Sequence, residues 1–228
     1  MTKHLPNTLT CLNLITGAMA TITITTGDYQ QAIYFVLVAG LFDFLDGFVA
    51  RLLKVQSSIG KELDSLADMV SFGLVPALYM FRAIGEETTH PYLPYAGLLI
   101  AAFSALRLAK FNVDDSQSDQ FIGVPTPANT ILITSLAFLP QGFPMSLVTL
   151  LALTVASSLL LVANVPMIAL KFKGAGWSGN ELRYSLIIAL LALLAIFKLA
   201  ALPMLIPIYI FFSLLGNFVA KKGVSKNN

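Results

Sequence analysis

The sequence predicts an all-α, polytopic integral membrane protein, a helical bundle of about eight transmembrane helices with both termini cytoplasmic. Three observations carry this. Of 228 residues, 57% are hydrophobic and only 11% charged, where a soluble domain carries roughly 25% charged residues. The apolar residues fall in runs long enough to cross a bilayer as helix, roughly 17–25 residues each. The basic residues between those runs are segregated to one side.

In chain order, helices are expected over 10–26, 30–53, 64–83, 92–112, 126–140, 144–170, 182–200 and 203–220. The first follows Pro6-Asn7 and is rich in Thr. The second ends in Arg51 and Lys54, and the third opens among acids. The fourth closes with Arg107 and Lys110. The fifth is short, and Pro140-Gln-Gly-Phe-Pro144 reads as a tight turn into the sixth. Pro203 and Pro207 interrupt one long apolar run, so the count is six to eight, with a re-entrant or interfacial helix accounting for the lower number.

Charge placement sets the orientation. With the N-terminus inside, Lys3, Arg51, Lys54, Lys61, Arg107, Lys110, Lys171, Lys173, Arg183, Lys221, Lys222 and Lys226 all lie inside, and only Arg82 and Lys198 lie outside. That is the positive-inside pattern. The N-terminal stretch has the outline of a secretory leader, with Lys3 and His4 before an apolar run and Ala18-Met-Ala20 as a cleavage-like triplet. Pro6 and Asn7 interrupt it early, so a retained first helix is expected. The single Cys11 excludes an intrachain disulfide and a cysteine metal cluster. The whole chain, 1–228, reads as a single transmembrane domain without a soluble module or internal repeat, and no nucleic-acid partner is expected.

Asp43, Asp46, Asp64 and Asp68 are the feature this setting does not explain. Carboxylates inside a membrane are expensive and mark function. Residues three or four apart share a helix face, so Asp43, Asp46, Gly47 and Ala50 line one side of the second helix, and Gly60, Asp64 and Asp68 one side of the third. The short connection makes the two helices antiparallel neighbours, with their acids meeting near the cytoplasmic surface. Arg51 is the one cation inside the two apolar runs. His4 and His90 are the only histidines, and His90 falls on the other side. All-oxygen ligation therefore favours Mg2+ or Mn2+ over zinc, and two carboxylate pairs on facing helices suit a two-metal grip on a diphosphate. Gly47 and Ala50 leave room on that face, and Arg51 offers a fork of donors to a phosphate. The same acids also suit a proton or ion pathway in a transporter. Against that, they cluster at one interface, and spans four to eight contain no matching acids.

The spacing Asp43-x2-Asp46-Gly47-x2-Ala50-Arg51-x8-Gly60-x3-Asp64-x3-Asp68 resembles the signature of the CDP-alcohol phosphotransferases at every fixed position. The resemblance implies a membrane enzyme that transfers a phosphatidyl or similar group from a CDP-linked donor to an alcohol and releases CMP. It implies two divalent cations, Mg2+ or Mn2+, on the four aspartates, with Asp68 as general base. It puts Gly47, Ala50, Arg51, Ser57 and Gly60 against the CDP-diacylglycerol donor, together with Pro6, Asn7 and Thr10, since Pro6-Asn7-Thr8-Leu9-Thr10 resembles the family's PN-x-x-T element. From the residues alone, Asn7 or Thr8 can equally serve as a helix cap.

Beyond the signature the chain looks most like the phosphatidylserine synthases of that family. The runs that carry this are Leu63 through Gly73, Arg107-Leu-Ala-Lys110-Phe111-Asn112, and Phe121-Ile-Gly123-Val-Pro125-Thr126-Pro127; the last 90 or so residues match only in hydrophobicity and a Phe172-Lys173 echo. This branch implies L-serine as the acceptor, a homodimer, and residence in the cell inner (plasma) membrane with the active site at the cytoplasmic face. Physically, serine needs a cation for its carboxylate, and Arg107 and Lys110, with Asn112 nearby, form one modest basic patch. That patch only weakly excludes glycerol 3-phosphate or inositol phosphate, and both cations can equally be topological anchors.

Overall fold

The computed structural model describes residues 4–55, 57–113, 121–140, 143, 145–168, 176–177 and 180–225; of Phe121 and residues 217–225 the backbone alone is described. Lys3, Asp114, Asp115, Asp119, Lys171, Phe172, Lys173 and Lys226 lie outside the described residues.

The helices are α1 (Leu5–Thr26), α2 (Tyr29–Leu53), α3 (Ser58–Asp68), α4 (Val75–Glu86), α5 (Leu99–Val113), α6 (Thr126–Thr134), α7 (Leu147–Val162), α8 (Glu181–Phe197) and α9 (Leu202–Ser225). Among the described residues, five helical runs are long and apolar enough to cross a membrane: Leu5–Thr26, Tyr29–Leu53, Ser58–Glu86, Leu93–Val113 and Glu181–Gly216. The last is two helices. Lys198 breaks it with a φ of 52°, and a Cβ built on Gly216 would lie 2.6 Å from Leu182 Cδ2, so α9 folds back beside α8. The shorter α6 and α7 complete a bundle whose helical segments fall in the eight places expected, although α6 is too short to span on its own.

The boundaries differ where local chemistry overrides hydropathy. Helix α1 starts at Leu5 rather than residue 10, with Pro6 in its first turn, where a missing N–H is tolerated. Neither Asn7 nor Thr8 caps it; the Thr8 hydroxyl donates back to the His4 carbonyl at 3.0 Å. Helix α3 starts at Ser58, well before residue 64, because Ser57 caps it by accepting the Gly60 N–H at 3.0 Å.

A π-helical segment, Met69–Leu74, joins α3 to α4. Its cause is Pro76, which cannot donate to the carbonyl of Phe72 four residues back and would clash with it. The wider π-turn relieves the clash, and the Thr130 hydroxyl of α6 donates to the Phe72 carbonyl at 2.8 Å. The adjoining small residues set helix spacing. A Cβ on Gly17 of α1 would fall 2.7 Å from Ser71 Cα, and one on Gly73 3.3 Å from Ser104 Cβ of α5.

Two short strands, β1 (Phe121–Ile122) and β2 (Pro166–Met167), pair antiparallel; hydropathy gave no sign of them. Gly123 then turns at a φ of 75°, and its N–H donates to Val165 O at 2.9 Å. A side chain there would strike the Leu161 carbonyl at 2.7 Å, which explains the glycine in the Phe121–Pro127 run.

Small and polar residues are buried alongside large apolar ones, and many large apolar residues also face outward. Along α1 the buried seam is Pro6, Thr10, Asn13, Gly17, Ala20 and Ile24. On α2, Tyr34, Val38, Leu41, Phe48 and Leu52 form an exposed stripe, a face that suits lipid rather than water. The main apolar cluster, including Ile24, Val36, Met80, Ile84 and Ile133, fills the bundle away from the aspartates. Beyond it, the Tyr29 hydroxyl bonds Glu86, and Arg82 lies 3.9 Å from Glu86.

Candidate active site

Lys54, in the left-handed region at a φ of 54°, ends α2, and the chain turns within a few residues into α3. The sequence suggested that these two helices pack closely on each other; instead both pack against α1, and in that arrangement Asp43 meets Asp64 and Asp68. One oxygen from each of the three lies within 4.8 Å of the others. None of the four aspartates has a basic side chain within 4.0 Å among the described residues, and Asp64 Oδ1 is buried without a hydrogen-bond partner. Three clustered carboxylates and an orphaned buried oxygen call for a cation, and an all-oxygen set of this kind fits a hard divalent ion.

Asp46 stands apart from that trio. It is 5% exposed and accepts the Thr10 hydroxyl of α1 at 2.6 Å. With Asp64 it borders a cavity of about 490 Å³, lined also by Pro6, Asn7, Thr10, Gly47, Ala50, Arg51, Ser57 and Gly60. Every residue expected at the donor site therefore lines one cavity, and Asp64 belongs both to the cavity and to the carboxylate trio. The glycines matter here. A Cβ on Gly47 would sit 3.4 Å from Arg51 Nη1, and one on Gly60 3.3 Å from Asn7 Oδ1. Gly47 thus keeps space under the guanidinium, and Gly60 lets α1 close over α3.

Lys61 also lines the cavity. In the sequence Lys61 stands only as a topological charge, although its place beside Gly60 is a signal. Its ammonium donates to the Asn112 carbonyl at 2.8 Å. Asn13 was missed altogether. It is fully buried, and its Nδ2 donates to Asp68 Oδ1 at 3.2 Å; the signal was an amide three residues after Thr10 on the same face of an apolar helix.

The residues expected at the acceptor separate. Arg107 is 9% exposed, too buried for a headgroup anchor. Its Nε is buried without a partner. Arg107 and the exposed Lys110 line a second cavity of about 490 Å³ with Phe111, Val113, Ile122, Leu161, Val162 and Asn164. Asn112 is not part of it. Its amide donates to Ser65 Oγ at 2.8 Å, tying α5 to α3.

Comparison with known proteins reaches over more of the chain than the motifs cover. The sequence profile of the CDP-alcohol phosphatidyltransferase family matches residues 3–169. A CDP-diacylglycerol–serine O-phosphatidyltransferase of Helicobacter pylori (strain ATCC 700392 / 26695) is 29% identical over 216 residues, 92% of this chain and 89% of its own. Enzymes of the same name from Bacillus subtilis (strain 168) and Saccharomyces cerevisiae are 34% identical over 140 residues and 37% over 151, covering 60% and 59% of this chain and 76% and 54% of theirs.

Proposed function

Because this chain belongs to the CDP-alcohol phosphatidyltransferase family, we propose that it transfers the phosphatidyl group of CDP-diacylglycerol to the hydroxyl of L-serine, giving phosphatidylserine and CMP. The observation that carries this reading is the junction at Asp64, where the donor cavity meets the Asp43, Asp64 and Asp68 trio. The relatives, all named for serine transfer, support the choice of acceptor. A proton or ion transporter is not favoured by either.

Two divalent cations, Mg2+ or Mn2+, fit the acids, one among Asp43, Asp64 and Asp68 and one where Asp46 and Asp64 border the cavity. Bound there, they supply neutralisation of the diphosphate and of charge developing on the departing CMP. The protein's own groups do the rest. Arg51 and Lys61 offer donors to the phosphates, and Gly47 leaves room for them beneath the guanidinium. The acyl chains stay in lipid, beside the outward apolar face of α2. Serine enters from the second cavity, its carboxylate on Arg107 and its hydroxyl toward Asp68, the site's general base. The serine oxygen attacks the phosphatidyl phosphorus as its proton passes to Asp68. The bond to CMP breaks, and CMP leaves with the electron pair. Neither His nor Cys stands at the site, which favours direct transfer over a covalent phosphatidyl-enzyme. Lys110 keeps a charge at the mouth of the second cavity but lacks the planar fork of an arginine. The site faces the cytoplasm from the inner (plasma) membrane, in keeping with the basic residues gathered on that side, and the enzyme works as a homodimer.

The test uses purified protein in mixed micelles with CDP-diacylglycerol, serine and Mn2+ or Mg2+. CMP and phosphatidylserine should appear in equal amounts. Ion or proton flux in liposomes without CMP release would overturn the proposal.

A further inference from the structure

Helix α1 reaches the aspartates with two polar side chains three residues apart, Thr10 and Asn13. An amide buried in an apolar helix costs free energy unless it is hydrogen-bonded, and Asn13 is 0% exposed. Its Nδ2 donates to Asp68 Oδ1 at 3.2 Å, a contact between residues 55 apart in sequence. Its own Oδ1 is buried with no partner, so full satisfaction of the amide does not explain its presence. The backbone around it is pinned: the Ser71 hydroxyl, on the π-helical segment just after Asp68, donates to the Asn13 carbonyl at 3.0 Å. One turn along, bare Gly17 admits Ser71 against α1. An ionised carboxylate only accepts hydrogen bonds, through several lone pairs on its two oxygens, so the contact fixes the orientation of the Asp68 carboxylate without using up either oxygen.

We infer that Asn13 is a positioning residue for this transfer, holding Oδ1 of Asp68 so that its second oxygen is aimed at the acceptor hydroxyl. The inference rests on the reading of Asp68 as general base. It sets Asn13 apart from Thr10, which does the same for Asp46 on the donor side.

The experiment measures CMP release by wild type, Asn13→Ala and Asn13→Ser at varied CDP-diacylglycerol, with rates expressed per folded protein from the monodisperse gel-filtration peak. Loss of a hydrogen bond to a charged group predicts a fall in kcat of roughly 10- to 100-fold for Asn13→Ala. Asn13→Ser, with a shorter donor, should fall between, and the KM for CDP-diacylglycerol should stay within about twofold in both. A merely structural role would lower the folded yield and leave kcat per folded molecule unchanged. Wild-type turnover with an Asn13→Ala kcat within about threefold of it, or a CDP-diacylglycerol KM that rises in step with the loss, overturns the positioning role alone. A wild type that releases no CMP overturns the reading of Asp68 and this inference with it. Should Asn13→Ala fail to fold, Asn13→Ser decides by the same criteria.

Discussion

Replacing Gly17 with alanine adds one methyl group outside the cavity lining, yet it should damage catalysis severely. The added Cβ would lie 2.7 Å from Ser71 Cα and 2.8 Å from Ser71 Cβ, and carbon atoms rest comfortably only at ~3.5–4.0 Å. Backbone cannot rotate away as a flexible side chain can, so α1 must retreat from the π-helical segment by roughly 1 Å, at a cost of about 1–3 kcal/mol for overpacking. That retreat stretches the Ser71 contact to the Asn13 carbonyl from 3.0 Å and the Asn13 contact to Asp68 from 3.2 Å, both beyond hydrogen-bonding range. A misplacement of ~1 Å is enough to cost about 100-fold in rate. The assay is CMP release per folded protein, with thermal unfolding in detergent alongside. Gly40→Ala is the matched control, because a Cβ there meets nothing within 4 Å, and alanine in a helix interior is favoured over glycine by ~1 kcal/mol. If Gly17→Ala turns over within about threefold of Gly40→Ala, the close approach of α1 does not hold the site together and the reasoning fails.

Other outcomes test separate parts of the site. Asp68→Asn, close to isosteric, should abolish CMP release while CDP-diacylglycerol still binds; near-native turnover would remove the base assignment. Chelation with EDTA should stop the reaction, with Mn2+ or Mg2+ restoring it and Zn2+ not; activity that persists after exhaustive chelation would contradict the reading of the carboxylates. Thr10→Val keeps shape but strips the buried Asp46 carboxylate of its donor, a loss of about 1–3 kcal/mol, and should raise the metal concentration needed for half-maximal activity about tenfold or more; an unchanged requirement would make Thr10 a packing residue. Arg107→Lys should raise the KM for serine and leave that for CDP-diacylglycerol alone, whereas equal effects on both would place Arg107 outside acceptor binding.

The helices, and the gathering of the motif residues around one cavity, were legible in the sequence because each rests on local pattern. Apolar runs mark helices whatever their neighbours, and the fixed spacing from Asp43 to Asp68 puts its polar residues on two faces that a short turn brings together. What escaped depends on partners distant in the chain. The π-helical segment follows from Pro76, but its Phe72 carbonyl is satisfied by Thr130 of another helix. Asn13 reads as one polar residue among the threonines of α1 until Asp68 is seen opposite it. The spacing of the two carboxylate pairs does not show that Asp43, Asp64 and Asp68 meet while Asp46 turns to Thr10 and the cavity. Asn112 sat beside Arg107 and Lys110 in sequence, yet its amide serves a helix contact. The pairing of β1 with β2 has no hydropathy signature, because it does not change the apolar pattern, whereas α8 and α9 part where the expected spans 182–200 and 203–220 do.

The central claim is transfer from CDP-diacylglycerol to serine, and the acceptor panel tests it most directly. Purified protein with Mn2+ or Mg2+ and CDP-diacylglycerol is offered serine, glycerol 3-phosphate or inositol 1-phosphate, and CMP and the phosphatidyl product are quantified together. Rapid, equimolar CMP and phosphatidylserine with serine, and only background with the two phosphorylated alcohols, is the predicted result. Faster transfer to either phosphorylated alcohol than to serine would contradict the account.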